Sequence, residues 1–221
     1  MITGAGGQVG GFLAAEAARQ GRDVLALTSA QWDITDPAAA ERIVAPGDVV
    51  VNCAAYTNVD GAEGDEARAH AVNAAGPGYL AQACARVDAQ LVHISTDYVF
   101  SGSASRPYEP GDATGPLSVY GHTKLAGEQA VLAALPRATV VRTAWVYTGG
   151  HGNDFVAAMR RLAAGDGTVD VVDDQTGSPT YVGDLVAALL QVADRRVHAQ
   201  LVHAANQGEV SRFEQARAVF A

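Results

Sequence analysis

Short apolar runs suited to buried strands alternate along this chain with longer, alanine-rich stretches of helical period. The runs predict strands at Asp23–Thr28, Asp48–Ala54, Gln90–Ser95, Thr139–Thr143, Val169–Val172 and Gln200–His203. The periodic stretches predict helices at Gln8–Gln20, Pro37–Val44, Asp65–Arg86, Val119–Ala134, Asp154–Ala164, Val182–Asp194 and Ser211–Phe220. Strands that are apolar on both faces, each followed by a helix, mean a parallel sheet covered on both sides. Right-handed crossovers then give an α/β, doubly wound sheet of Rossmann type. No internal repeat is visible. Ser101–Pro116 is rich in Gly, Ser and Pro and reads as a loop on the surface or facing a substrate.

Composition narrows this picture. The chain is 48% apolar and 18% charged, so it can bury a core and is not disordered. A net charge of −9 argues against a nucleic-acid partner, which needs basic clusters. No apolar run approaches the ~20 residues of a membrane span, so no membrane partner is expected. Cys53 and Cys84 form no metal-ligand spacing and read as buried free thiols of a reducing, cytoplasmic compartment. Only Met1, Ile2 and Thr3 precede the first glycine-rich turn, where a strand normally has ~5 residues. Ala221 falls inside a helical pattern, so a missing segment is expected at each end.

Thr3-Gly4-Ala5-Gly6-Gly7-Gln8-Val9-Gly10 carries G-x-x-G-x-x-G through Gly4, Gly7 and Gly10. Such a turn between strand and helix offers backbone N–H groups and a helix dipole to a pyrophosphate, and its last glycine lets the helix press on the sheet. The context required of the motif is present, so the turn is expected to bind a dinucleotide. Enzymes that prefer NAD often place an acid at the end of the second strand. Thr28 and Ser29 stand there instead, which tolerates a 2′-phosphate and favours NADPH modestly over NADH. Asp33 and Ile34 are candidates for the adenine edge, with a turn before Asp36-Pro37 as the competing role of Asp33. Ala54 and Ala55, after the third strand, are small enough for a dinucleotide to approach closely.

Two further features belong together. The fourth strand ends in Ser95-Thr96-Asp97, at the sheet edge where ligands bind in such folds. Tyr120 and Lys124 follow on one helix, and positions i and i+4 share a face. A phenol titrates near ~10, and a neighbouring ammonium would lower that value. Lys124 is the only lysine among the 15 basic residues. A guanidinium is larger and forked, so this site reads as one that needs a compact cation. Thr96 can hydrogen-bond the reacting oxygen. His122 and Thr123 read as bystanders, and His93 as a satisfied core histidine.

The motifs TGAGGQVG, WDITD, NCAAYTNVDGAE, VNAAGP, HISTDYVFSG, PLSVYGHTKLAGEQ, RTAWVY, DFV and DDQTGSPTYVGDL resemble the extended short-chain dehydrogenase/reductase family nearly throughout. Trp145 and the last two motifs resemble its branch of dTDP-sugar reductases. The resemblance implies Tyr120 as proton donor, Lys124 as the residue orienting the nicotinamide ribose and Thr96 as the third member of a triad. It implies Gly7, Gln8 and Val9 on the pyrophosphate, Asp33 and Ile34 near the adenosine, and Ala55, Tyr56 and Thr57 along the cofactor groove. It implies Thr96, Asp97 and Trp145 on the sugar of a dTDP-sugar substrate, with Asn153, Phe155 and Gln175 toward its nucleotide. A homodimer is compatible with it. Some members bridge a dimer through magnesium from a glutamate two residues past the last motif glycine; Phe12 stands there, so no metal is expected.

A 4,6-dehydratase of this family carries an Asp-Glu pair after the threonine, whereas Tyr98 follows Asp97 here and is a poor base at neutrality. The DDQTGSPT segment does not match a 4-epimerase. A non-catalytic regulatory subunit of methionine adenosyltransferase shares the fold and remains the alternative to an enzyme. Residues 1–145 read as the cofactor domain with the triad. Residues 146–221 read as a small, partial substrate-binding region interleaved with late sheet strands.

Overall fold

The computed structural model describes residues 1–150, 152–194 and 199–221. The chain opens with β1 (Ile2–Thr3), α1 (Gln8–Arg19), β2 (Ala26–Leu27), α2 (Pro37–Ile43) and β3 (Val49–Asn52). The short α3 (Val59–Ala62) leads to α4 (Glu66–His70), which passes through a π turn at Ala71–Ala75 into α5 (Gly76–Val87). β4 (Gln90–Thr96) ends in a 3-10 turn at Asp97–Val99, and α6 (Val119–Ala134) and β5 (Thr139–Thr143) follow. Then come β6 (Val146–Tyr147), α7 (Phe155–Ala163), β7 (Thr176–Gly177), β8 (Thr180–Tyr181) and α8 (Val182–Ala193). β9 (Leu201–His203), β10 (Val210–Ser211) and α9 (Arg212–Phe220) complete it.

Six strands form a parallel sheet in the order β2-β1-β3-β4-β5-β9. The chain winds outward from β1 to β2, then back across β1 to β3 and away. That reversal opens a crevice between the carboxyl ends of β1 and β3, the usual ligand position in such a sheet. Alternate residues of the central strands feed two cores. Val50, Leu91 and Val140 pack under α2, α5 and α6, against Ala40, Leu80 and Val131. Ile2, Val51, Val92 and Val141 pack under α1 and α8, against Leu13, Leu185 and Leu189.

The doubly wound sheet is as expected, with differences at its margins. Val169–Val172 is not a strand: acids flank and interrupt it, and Val172 is exposed. The helix expected over Asp65–Arg86 is interrupted by the π turn. There Asn73 accepts from the Tyr56 amide (2.8 Å) and donates to the Tyr56 carbonyl and to Thr123, both at 3.1 Å. Two-residue strands β6, β7, β8 and β10 are too short to leave a periodic signal.

Candidate active site

Glycines set how closely the site elements approach. A Cβ on Gly4, whose φ is +65°, would lie 2.6 Å from the Ala54 amide nitrogen, and one on Gly10 would lie 2.3 Å from the Gly4 carbonyl oxygen. β1, β3 and α1 therefore meet backbone to backbone at the turn. α1 has no side-chain cap and no acid in its first turn, so its N-terminal amides and dipole are left for the crevice, while Gln8 Nε2 donates to Asp154 Oδ2 at 3.0 Å. On the other side, Ser118 caps α6 by accepting from Gly121 N (3.1 Å). A Cβ on Gly121 would come within 2.4 Å of the Tyr98 carbonyl oxygen, and one on Gly127 within 2.1 Å of that of Asn73. These contacts press α6 onto the 3-10 and π turns and fix the height of Tyr120 above β4.

The strand ends open into a cleft of about 1340 Å³. Gly4, Gly7, Gln8 and Val9 line it, as do Asp33 and Ile34, then Ala54, Ala55, Tyr56 and Thr57. Thr96, Asp97, Tyr120, Lys124, Trp145 and Asn153 complete the expected set that reaches it. Three residues do not. Gly10 lies behind the turn, where its hydrogen faces Gly4. Phe155 packs against Arg212, 4.9 Å from its guanidinium carbon, and Arg212 is the residue that faces the cleft. Gln175 is exposed, and its backbone carbonyl accepts from Arg212 N at 3.1 Å. Asp33 reaches the cleft and also takes the turn role weighed for it, accepting from the amide and hydroxyl of Thr35 at 2.9 and 2.8 Å.

Thr96 is the hub of the reacting centre. Its hydroxyl donates to Asp97 Oδ1 (2.9 Å), accepts from Tyr98 N (3.2 Å) and lies beside the Tyr120 hydroxyl. Burial pushes the Tyr120 phenol above its ordinary value, with the Thr96 hydroxyl opposing. Burial thus outweighs the lowering expected from Lys124, whose Nζ donates to the Ile94 carbonyl at 2.7 Å. Burial brings Lys124 down to about 8, while Glu128, one turn on, and Cys53 pull it up. Burial also raises the Asp97 carboxyl against its bond from Thr96. His93 lies in the core as expected but is only half satisfied. Nδ1 meets Asn52 Nδ2 at 3.0 Å, and Nε2 has no partner among the described residues.

Trp145 adopts φ +48°, a left-handed conformation that costs a non-glycine residue about 1–3 kcal/mol. Its ring is held on two sides. Arg212 stacks 3.4 Å from the ring centroid, and a Cβ on Gly177 would lie 2.5 Å from Trp145 Cε2. The glycine of the QTG sequence is thus the space that this ring occupies. Sequence reasoning missed Arg212, Arg68 and Tyr98, all on the cleft wall. A signal for Arg212 was available: Ser211 and Glu214 form a capping box, which makes Arg212 the first helical residue, where the dipole disfavours a cation.

This arrangement offers a dinucleotide cradle, a proton-bearing phenol and a buried ammonium within one cleft. The family model described as RmlD substrate binding domain matches residues 1–221. A dTDP-4-dehydrorhamnose reductase of Mycobacterium tuberculosis is 71% identical over 224 residues, covering 100% of this chain and 74% of that protein. The Mycolicibacterium smegmatis enzyme of the same name is 68% identical, covering 100% and 68%. The crystal structure of a dTDP-4-dehydrorhamnose reductase from Bacillus anthracis in complex with NADP matches with a TM-score of 0.93 at 37% identity, covering 99% of this chain and 78% of that one. The chain belongs to the family of the dTDP-4-dehydrorhamnose reductases.

Proposed function

We propose that the chain reduces the C4 ketone of dTDP-4-dehydro-6-deoxy-L-mannose to give dTDP-L-rhamnose, with NADPH preferred over NADH. The observation that carries this is the meeting of Thr96, Asp97, Tyr120, Lys124 and Trp145 on the cleft that the glycine-rich turn opens. When bound, the reduced nicotinamide supplies the hydride; the protein supplies position, a proton and a polar frame. The amides of Gly7, Gln8 and Val9 hold the pyrophosphate, and Gly4 and Ala54 keep the approach open. Asp33 and Ile34 take the adenosine, and Ala55, Tyr56 and Thr57 line the groove.

Tyr120 gives its proton to the oxygen that develops negative charge at C4. Its raised pKa suits this role, because the phenol stays protonated at neutral pH and an alkoxide is far more basic. The Thr96 hydroxyl orients that phenol. An ammonium has three donors, so the Lys124 bond to Ile94 leaves two for the nicotinamide ribose. Asp97 and Trp145 hold the sugar, and Asn153 lies toward the nucleotide. Residues 1–145 form the cofactor part and 146–221 the substrate part, with β9 returning to the main sheet. The setting is a reducing cytoplasm, supported by two free thiols that burial raises to about 12. A homodimer completes the reading.

NADPH oxidation with the dTDP-keto sugar tests it. The unmodified chain should turn over, and Tyr120→Phe should lose about 10²–10⁴-fold in kcat. Equal turnover by both, or none by either, sinks the assignment and in the second case favours a purely regulatory nucleotide-binding role.

A further inference from the structure

We propose that Arg212 is the anion subsite for the diphosphate of the nucleotide-sugar substrate. This rests on the proposed function for the presence of a diphosphate; the site itself rests on geometry. Three described cations line the cleft: Arg68, Lys124 and Arg212. Arg68 lies 3.9 Å from Asp33 at the far end from Trp145, and Lys124 is bonded to the Ile94 carbonyl with its other donors assigned to the nicotinamide ribose. None of the ion pairs among the described residues includes Arg212. Its guanidinium lies over Trp145, so its face is covered and its N–H edges remain in plane. Nη1 donates to Gln215 Oε1 at 3.2 Å, and the Tyr98 hydroxyl lies beside the side chain. A guanidinium has five N–H donors, so bidentate capacity is left over.

Its placement also breaks a local rule. A cation in the first turn of α9 opposes the helix dipole. Departures of this kind are expected where function outweighs stability. The half-buried guanidinium is anchored through its backbone to Gln175 and through its face to the two rings of Trp145 and Phe155. It is thus presented rigidly beside Trp145, the residue taken to hold the sugar. In the substrate, the diphosphate is attached to that sugar.

Calorimetric titration of the full chain, saturated with NADP⁺, separates charge from base recognition. The unmodified protein should bind dTDP more tightly than thymidine. Arg212→Gln should cut the dTDP affinity by about 10- to 100-fold, the worth of a lost charge-assisted pair, and leave thymidine and NADP⁺ affinities unchanged. KM for the keto sugar should rise by a similar factor, with kcat within about 3-fold. Arg212→Lys keeps a cation and should retain part of the preference for dTDP. An unchanged dTDP-to-thymidine ratio in the glutamine variant overturns the subsite. So does a lysine variant as poor as the glutamine one, because packing on Trp145 would then be the cause. Failure of the unmodified chain to bind dTDP or to turn over instead removes the proposed function beneath it.

Discussion

Arg142 and Arg212 show two ways of keeping a guanidinium away from bulk water. Arg142, on β5 beneath α6, is 5% exposed and grips Glu128 through two hydrogen bonds of 2.8 and 2.6 Å. It also donates to the Pro110 carbonyl at 3.3 Å. Arg212, at the start of α9, is stacked on rings and forms no ion pair among the described residues, although the buried Asp97 carboxyl attracts it from across the cleft wall. A buried charge without a partner is costly, so a structural cation is closed by an anion of the protein. A cation left open in a cleft is waiting for an anion from outside. Lys124 lies between these cases. It is 2% exposed, and its nearest carboxylate in sequence, Glu128, is already held by Arg142.

Removing Glu128 should break the closed side most severely. Glu128→Gln keeps the size and removes the charge, leaving Arg142 buried and unpaired. The expected loss is about 3–5 kcal/mol of stability, read as a fall in the urea midpoint. A loss below about 1 kcal/mol would mean that water reaches the pair.

The same substitution sharpens the case of Lys124 through pH. Lys124 is faced by Tyr120 and Glu128 on its own helix, His93 on β4 and Cys53 after β3, with Arg142 behind Glu128. Burial sets its pKa at about 8, so the ammonium is present below pH 8 and lost as pH rises through it. Tyr120, held above its ordinary value, keeps its proton over that range. The kcat/KM profile should therefore fall above about pH 8 with a slope of one proton. Glu128 raises the pKa of Lys124, so in the glutamine variant this limb should move to lower pH. A limb that stays in place would show that Arg142 cancels the influence of Glu128.

The closed side was largely legible in the sequence, because its rules are local. Gly4, Gly7 and Gly10 mark a turn, Tyr120 and Lys124 share a helical face, and Thr96-Asp97 end a strand. What the sequence missed there is burial: it raises the Tyr120 phenol instead of letting it fall, and Lys124 is bonded to Ile94, 30 residues away. The α9 corner was legible only in part. Trp145 was found through its motif, but Arg212 reaches it from 67 positions along the chain, carried by the antiparallel pairing of Ser211 with Thr176 and Val210 with Gly177. Two-residue strands leave no periodicity. Phe155 and Gln175 were placed on the cleft by motif alone, and both touch Arg212 in its place.

The smallest effect is the most diagnostic of the comparison. If Arg212 is open by design, its charge adds little to the fold. Arg212→Gln should lose a cation–π contact of about 0.5–1 kcal/mol and recover part of that by relieving the unfavourable helix dipole. The urea midpoint should then move by much less than in Glu128→Gln, even though the affinity for dTDP falls steeply. Both variants neutralise one charge within the same chain, so their ratio of stability loss to affinity loss should be inverted. If Arg212→Gln instead destabilised as strongly as Glu128→Gln, Arg212 would be a second structural cation, and the α9 corner would be as closed as the α6 side of the sheet.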